Sequence, residues 1–227
     1  MAHCIKILVI ALLCLGCGSG KVISHRKMEK NYLFFLHNKF IENNPPGTYD
    51  TVYKVREEYD KIIASFQKEG FNVISERRKP RTDVKNYAKK VVSQIDSLIA
   101  TGVPADHITV VGTSKGGYIA QYVSTYAANS KLNFVFIGSF QLGDLSEIPD
   151  INFCGNILTI YENTDPYGVS ALKRKEVSKL PIGHFREVEL HTGLKHGFLY
   201  RALDDWIRPS TMWAKQNYEL KDLIQRK

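Results

Sequence analysis

Cysteine is scarce in this sequence of 227 residues. Three of its four cysteines, Cys4, Cys14 and Cys17, fall near the N-terminus, and only Cys154 lies in the body of the chain. One cysteine cannot form an internal disulfide bond, so we expect Cys154 to be a buried thiol. The sequence also lacks a His-Glu-x-x-His motif and a phosphate-binding loop, and we expect neither a bound metal ion nor a cofactor.

Long apolar runs are missing as well. The run at residues 7–15 has nine residues, which cannot span a bilayer but fit the core of a signal peptide. We therefore expect residues 1–17 to direct export to a bacterial envelope. Leu15-Gly16-Cys17 resembles the end of a bacterial lipobox, which predicts a lipid-modified Cys17 that anchors the protein to a membrane. The alternative is ordinary cleavage at residues 16–20, which would give a periplasmic protein. Residues 18–30 are predicted to form a tether to the folded domain.

The positive charge is not gathered in one stripe. The formal net charge is +8, with 44% hydrophobic and 24% charged residues. The basic residues are scattered along amphipathic segments, which favours a solvated surface over nucleic-acid binding. Internal repeats and disorder-prone tracts are also missing, so residues 31–227 are predicted to form one globular domain.

The most informative stretch is ITVVGTSKGGYIA at residues 108–120, which predicts a strand, a sharp turn and a helix. The turn carries the pattern Gly112-x-Ser114-x-Gly116. A serine on such a turn points outward in a strained backbone conformation, and glycine on both sides prevents collisions there. The pattern favours Ser114 as a nucleophile; a glycine-rich turn without catalytic function is the alternative.

A nucleophilic serine needs partners. Its hydroxyl group is a poor nucleophile, so a histidine must accept the proton and a carboxylate must fix the tautomer of that histidine. The negative charge that develops on the substrate needs donors too. The amide of Lys115, at the start of the predicted helix, is one candidate donor for an oxyanion hole.

The rest of the chain alternates between strand and helix patterns. Predicted strands cover residues 31–36, 71–75, 108–111, 132–137, 156–162 and 185–190. Two further helices are predicted at residues 50–68 and from Thr82 or Asp83 to Gly102. A closing helix is predicted from near Pro209, with the apolar residues Trp213, Leu220, Leu223 and Ile224. Because parallel neighbours need long crossovers, this order predicts an α/β fold with a doubly wound, mostly parallel sheet flanked by helices. Ser114, His37, Asp165 and His196 all follow predicted strands, so they should gather at one edge of the sheet.

Seven histidines compete for the role of general base. The less favoured ones are His3 and His25 in the N-terminal segments, His107 and His184 at the opposite edge of the sheet, and His37, for which a structural hydrogen bond is expected. His191 and His196 both follow the last predicted strand. We favour His196, because Gly193 and Gly197 surround it in a flexible loop, whereas His191 is expected to be packed.

From Tyr32 onward the sequence resembles the α/β-hydrolase superfamily, in particular small, lidless bacterial serine hydrolases with a Gly-x-Ser-Lys-Gly-Gly elbow, here residues 112–117. The resemblance implies hydrolysis of acyl esters or related bonds through an acyl-serine, with nucleophile, acid and histidine in that order along the chain. It places the acid after the strand at residues 156–162, which favours Asp165. Glu162 and Asp144 are the reserves, and a helix cap is the alternative role for Asp165.

The second oxyanion donor is less defined. Many members of the superfamily have His-Gly after the first central strand, whereas this chain has His37-Asn38. The resemblance therefore leaves two candidates beside Lys115, the amides of Lys39 and Asn38.

Residues 138–155 follow the strand after the nucleophile helix and are too few for a helical cap domain. An open site cannot surround a long acyl chain, so the expected small-molecule substrates are short-chain acyl esters. The residues expected to line the site are Phe140, Leu142, Leu145, Ile148, Tyr161 and Tyr167. A catalytically silent scaffold that acts as an envelope binding protein, and an acyl or peptidyl transferase, are the alternative functions.

Overall fold

The computed structural model describes residues 30–221 of the chain. The strands are β1 (Tyr32–Leu36), β2 (Tyr49–Asp50), β3 (Val55–Arg56), β4 (Asn72–Ile74), β5 (Ile108–Thr113), β6 (Asn133–Ile137), β7 (Gly155–Glu162) and β8 (Ile182–Leu190). The helices are α1 (Lys39–Asn43), α2 (Tyr59–Lys68), α3 (Val84–Ala100), α4 (Lys115–Ala127), α5 (Asp144–Glu147), α6 (Leu172–Val177) and α7 (Asp204–Ala214), with 3-10 turns at Ala105–His107 and Lys195–Tyr200.

Six strands form one parallel sheet in the order β4-β1-β5-β6-β7-β8, and β2 pairs with β3 in a separate hairpin. The predicted doubly wound α/β fold is confirmed, and the six predicted strands occur with ends shifted by three residues or fewer. The chain runs outward from β1 to β4 and then crosses back to β5 on the other side of β1. Such a reversal opens a crevice at the carboxyl ends of the two central strands.

The strand register brings the carboxyl ends of the strands level with one another. Leu36 at the end of β1 pairs with Gly112 of β5, and Glu162 at the end of β7 pairs with Leu190 at the end of β8. The loops that follow β1, β5, β7 and β8 therefore all begin at the same edge of the sheet.

Helices cover both faces of the sheet because the strand residues alternate between two apolar clusters. Leu33 and Phe35 pack with Trp206 and Trp213 in one cluster, which also contains the buried face of α2. Phe34 and Leu36 point to the opposite face, where they pack with buried residues of α3 and α4. The central strands β1, β5, β6 and β7 are thus buried on both sides, as their continuous apolar sequences predict.

The predicted helix at residues 50–68 is wrong in its first part. The helix begins at Tyr59, and the preceding residues form the β2–β3 hairpin. Oδ1 of Asp50 accepts hydrogen bonds from the amides of Val52 and Tyr53, at 2.7 and 3.0 Å, and this local turn replaces the first helical turn. Lys54 completes the hairpin with a φ of 55°.

The predicted extent of the last helix is also wrong. α7 begins at Asp204, with Pro209 inside it, and ends at Ala214, before Leu220. A proline in this position removes one helical hydrogen bond. Trp206 and Trp213, two turns apart on one face of α7, are both fully buried, and this burial outweighs the lost bond.

Several predictions concern residues that lie outside the described part of the chain. They are the signal peptide at residues 1–17, lipid-modified Cys17, nearly all of the tether at residues 18–30, and Leu223 and Ile224. Among the helices between residues 30 and 221, none is long and apolar enough to cross a bilayer. A short α5 is the only helix between residues 138 and 155 of the described chain, and no cap domain is inserted there.

Candidate active site

Ser114 connects β5 to α4 in a strained backbone conformation, with φ 49° and ψ −118°. Its amide donates a hydrogen bond of 2.9 Å to the carbonyl oxygen of Ile137 in β6, which fixes the turn against the sheet. Conformations of this kind cost about 1–3 kcal/mol per residue and persist only where the surrounding structure imposes them. The predicted elbow is present, and it turns the serine side chain away from the sheet.

The glycines of the elbow are required by close packing. A methyl group at Gly116 would overlap the carbonyl oxygen of Leu36, and one at Gly112 would overlap the carbonyl oxygen of Gly116. At Gly117 it would collide with the side chain of Ser139. Helix α4 therefore lies against the end of β1 at a distance that only glycine allows.

The structure brings Ser114, His196 and Asp165 together in one hydrogen-bonded chain. Nε2 of His196 lies 2.8 Å from the hydroxyl oxygen of Ser114, and Nδ1 lies 2.6 Å from Oδ2 of Asp165. Oδ1 of Asp165 accepts a bond of 2.9 Å from the amide of Tyr167. Asp165 thus fixes its own loop with one oxygen and contacts the histidine with the other, and no helix begins at Pro166.

The two reserve carboxylates have other partners. Glu162 is buried and accepts bonds of 2.8 Å from both the amide and the hydroxyl group of Thr192, and one of 3.2 Å from the amide of Gly193. Burial alone would raise the pKa of Glu162, but these bonds hold it below its usual value. Glu162 therefore holds the loop that leads to His196. Asp144 accepts a bond of 2.7 Å from the hydroxyl group of Tyr118.

The other described histidines lie away from the hydroxyl group of Ser114. His107 ends a 3-10 turn before β5, at the opposite edge of the sheet. His184 lies inside β8 rather than before it, and its ring stacks on Tyr218. The expectation of a packed His191 is wrong, because its side chain is exposed and pairs with Asn163 at 2.9 Å.

His37 has the structural role that the sequence predicts. Its ring is fully buried, with Nδ1 2.9 Å from the carbonyl oxygen of Asn38 and Nε2 accepting a bond of 2.9 Å from the amide of Arg78. Burial, together with the nearby Arg78 guanidinium, lowers the pKa of His37 to about 4. A neutral ring that donates from Nδ1 and accepts at Nε2 satisfies both contacts.

Asn38 stands where many α/β hydrolases have glycine, and its side chain makes two hydrogen bonds there. Its φ is −73°, so the position does not require glycine. Oδ1 caps α1 by accepting from the amide of Ile41 at 3.0 Å, and Nδ2 donates to the carbonyl oxygen of Leu199 at 3.2 Å. Asn38 thereby links the loop after β1 to the segment that carries His196.

The three candidate oxyanion donors lie near the serine. Lys115 is the first residue of α4 and Lys39 the first of α1, so neither amide has an acceptor within its own helix. The amide of Ser114 is already bonded to β6. Asn38, Lys39, Ser114 and His196 line one cleft of about 460 Å³. The catalytic and oxyanion roles of these residues stay predictions.

The walls of this cleft differ from the predicted ones. Of the six predicted wall residues, Tyr167 lines the cleft, and its ring lies edge-on to His196 at 5.4 Å. Phe140 is buried instead, and Tyr161 bonds to Glu189. Leu142, Leu145 and Ile148 do not line the cleft either.

Residues missed by the sequence analysis form most of the apolar wall. Phe40 and Tyr200 stack on each other with ring centroids 4.7 Å apart, and both line the cleft together with Tyr118 and Gln141. Tyr53 of the β2–β3 hairpin packs between Tyr200 and His196. The position of Phe40 next to Lys39 in the sequence is the one signal that could have identified it.

Cys154 is a buried free thiol, and burial raises its pKa. Between residues 30 and 221, no group of three or more His, Cys, Asp or Glu side chains could hold a metal ion.

Several solved structures have a similar fold. SOBER1 of Arabidopsis thaliana is 14% identical, with a TM-score of 0.52 over 82% of this chain and 98% of its own. An esterase domain from Rhodothermus marinus is 15% identical, with a TM-score of 0.52 over 86% and 89% of the two chains. Dienelactone hydrolase from Anabaena variabilis is 15% identical, with a TM-score of 0.54 over 84% and 88%.

No family model and no curated protein matches the sequence. At identities this low, the similarity to solved structures establishes the fold, which is that of the α/β hydrolases.

Proposed function

We propose that the protein is a serine hydrolase that cleaves short-chain carboxylic esters. The observation that carries the proposal is the hydrogen-bonded chain from Ser114 through His196 to Asp165, with contacts of 2.8 and 2.6 Å, at the mouth of a cleft. Similar folds occur in an esterase domain and in dienelactone hydrolase, which supports hydrolysis as the type of reaction.

The reaction begins when Ser114 attacks the carbonyl carbon of the ester. Nε2 of His196 accepts the hydroxyl proton as the new C–O bond forms, and Asp165 stabilises the imidazolium through Nδ1. The tetrahedral intermediate collapses, the C–O bond to the alcohol breaks, and His196 returns the proton to the leaving oxygen. Water then attacks the acyl-serine with His196 as base, which releases the acid and regenerates Ser114.

The oxyanion of both intermediates lies between the elbow and the loop after β1. The amide of Lys115 donates from one side and the amide of Lys39 or Asn38 from the other. Loss of one such donor typically lowers kcat by about 10²–10³.

The substrate class follows from the size and openness of the cleft. No cap domain covers the described cleft, and its aromatic lining consists of Phe40, Tyr118, Tyr167 and Tyr200. Each buried methylene adds about 0.8 kcal/mol of binding free energy, and the gain ends where the acyl chain leaves the cleft. The preferred acyl groups are therefore short.

A series of nitrophenyl esters tests the proposal. We expect kcat/KM to rise from acetyl to butyryl and to gain nothing further at dodecanoyl, without a jump in rate above the micellar limit. A steady rise to dodecanoyl would refute the short-chain preference. Product analysis in the presence of alcohols or amines separates hydrolysis from acyl transfer, and a protein that turns over none of the esters would favour a silent binding scaffold.

We also propose that the protein is exported and held at a membrane through a lipid on Cys17. The apolar run at residues 7–15 and the Leu15-Gly16-Cys17 junction support this proposal. Mass spectrometry of the native N-terminus should find a lipid-modified Cys17. An unmodified terminus further downstream would rule out the anchor.

A further inference from the structure

A cluster of charged side chains joins the two segments that carry the candidate oxyanion donors. Glu42 of α1 accepts a hydrogen bond of 2.5 Å from Nζ of Lys115 at Oε1, and one of 3.1 Å from Nε of Arg78 at Oε2. Arg78 also donates to the carbonyl oxygen of His37. One carboxylate thus connects the residue after Ser114 to the loop that follows β4.

The cluster is buried to a degree that is unusual for charged groups. The side chains of Glu42 and Arg78 are each 1% exposed, and that of Lys115 is 17% exposed. Charged residues are rarely buried so fully unless they are paired, because desolvation is costly. Burial alone would raise the pKa of Glu42, but the bonds from Lys115 and Arg78 hold it below its usual value. Glu42 is therefore ionised at neutral pH.

The cluster connects residues on the two sides of the candidate oxyanion hole. Lys115 provides a backbone amide to one side of the candidate oxyanion hole and a side chain to Glu42. Glu42 lies one turn of α1 after Lys39, whose amide is a candidate donor on the other side. Arg78 donates a hydrogen bond to the carbonyl oxygen of His37, the residue immediately before Asn38. The two halves of the oxyanion hole are thus connected through side chains as well as through the sheet.

The charge of the cluster also suits an oxyanion. Two cations and one carboxylate leave a net charge of +1, since the nearby His37 is neutral above a pKa of about 4. Because Glu42 and Arg78 are buried, this net positive charge is screened less than it would be in water, and it stabilises negative charge that develops nearby.

We infer that Glu42, Lys115 and Arg78 are positioning residues that hold the two halves of the oxyanion hole at a fixed separation and add positive charge near it. They do not touch the substrate, and they act through the amides of Lys115 and of Lys39 or Asn38. This inference rests on the proposed serine hydrolase function. It assigns a role to the lysine of the Gly-x-Ser-Lys-Gly-Gly elbow that the geometry of Ser114 alone does not require.

Lys115→Met is the cleanest test of the inference. Lys115 is partly exposed, and Glu42 stays paired with Arg78 when the lysine is replaced. We expect kcat on a butyryl ester to fall about 10–100-fold, with KM changed less than about 3-fold. The reason is that a shift of about 1 Å in groups that position the reacting atoms can lower the rate about 10²-fold. The affinity for a trifluoromethyl ketone, which forms a tetrahedral adduct with the serine, should fall in step with kcat/KM. Lys115→Arg, which keeps the charge and a donor to Glu42, should recover most of the activity.

One further variant serves as a control, and a double variant tests whether the cluster acts as a unit. Lys90→Met removes the same charge from α3, where Lys90 forms a half-exposed pair with Glu76 of the loop after β4, and it should change neither kcat nor the inhibitor affinity. If the cluster acts as a unit, adding Glu42→Gln to Lys115→Met should cost much less than the product of the two single effects.

The outcomes separate this inference from the proposed function. A Lys115→Met variant with a lower melting temperature but unchanged kcat and inhibitor affinity would show that the cluster only stabilises the fold, and would overturn the inference while leaving the hydrolase proposal intact. A wild-type protein without ester hydrolysis or serine labelling would instead refute the proposed function.

Discussion

The hydroxyl oxygen of Ser114 lies 2.8 Å from Nε2 of His196, although Ser114 occupies the N-cap position of α4. A serine in this position usually accepts a hydrogen bond from an amide in the first turn of its own helix. Here the positive φ of Ser114 turns the side chain away from those amides, and it makes no capping bond. The first amides of α4 are thus left for another acceptor, and the hydroxyl group is left for the histidine.

Asp165→Asn should lower kcat by roughly 10²–10⁴ with little change in folding, because an amide in that position favours the wrong histidine tautomer. Steady-state kinetics on the butyryl ester measure the effect. Glu162→Gln, which alters the loop at Thr192 without contacting His196, should lower kcat less but cost about 1–3 kcal/mol of unfolding free energy. Asp144→Asn should also have a smaller effect on kcat. If Glu162→Gln damages kcat more than Asp165→Asn, the acid is misassigned.

Gly116→Ala should reduce both stability and activity, because the added methyl group overlaps the carbonyl oxygen of Leu36 and must push α4 away from β1. We expect a loss of about 3 kcal/mol in chemical denaturation. Gly143→Ala is a matched control, since its φ of −70° suits alanine and its new methyl group would meet only the flexible end of Glu147. Equal stability of the two variants would contradict the close approach of α4 to β1.

Stability should fall as the pH is lowered from 7 to 5 because of His37. The pKa of its ring is about 4 in the folded chain and near 6.5 when unfolded, so only the unfolded state gains this proton in that window. The free energy of unfolding should drop by about 2 kcal/mol from this group. Carboxylates whose pKa is lowered by folding, among them Glu42, Glu57 and Glu162, reduce stability only at still lower pH.

Denaturant titrations at both pH values, on the wild type and on His37→Gln, check this prediction. The variant should be less stable at pH 7 and should lose less between pH 7 and 5. A wild-type protein of equal stability at the two pH values would show that His37 is not held neutral by its surroundings.

The sequence predicts the sheet well because its central strands are continuous apolar runs and its elbow has a strict pattern of glycines. Ser114, Asp165 and His196 are predicted as candidate catalytic residues because each of them follows a predicted strand. The β2–β3 hairpin was missed because the side chains of Asp50 and Glu57 bond to nearby amides, a local effect that apolar spacing does not reveal.

The start of α7 and the walls of the cleft could not be predicted for another reason. Both depend on contacts between residues far apart in the sequence. The burial of Trp206 and Trp213 against the sheet overrides the proline signal, and the stacking of Phe40 on Tyr200 joins two distant loops. The buried cluster around Glu42 has the same origin, since Lys115 lies 73 residues away.

Covalent labelling tests the central claim, that Ser114 is an activated nucleophile, most directly. The folded wild-type protein should react with a fluorophosphonate in one-to-one stoichiometry, and peptide mapping should place the adduct on Ser114. Ser114→Ala should fold with an unchanged circular dichroism spectrum and take up no label, and its kcat should fall by several orders of magnitude. Equal labelling of Ser114→Ala, or an adduct on another residue of the wild type, would contradict the account.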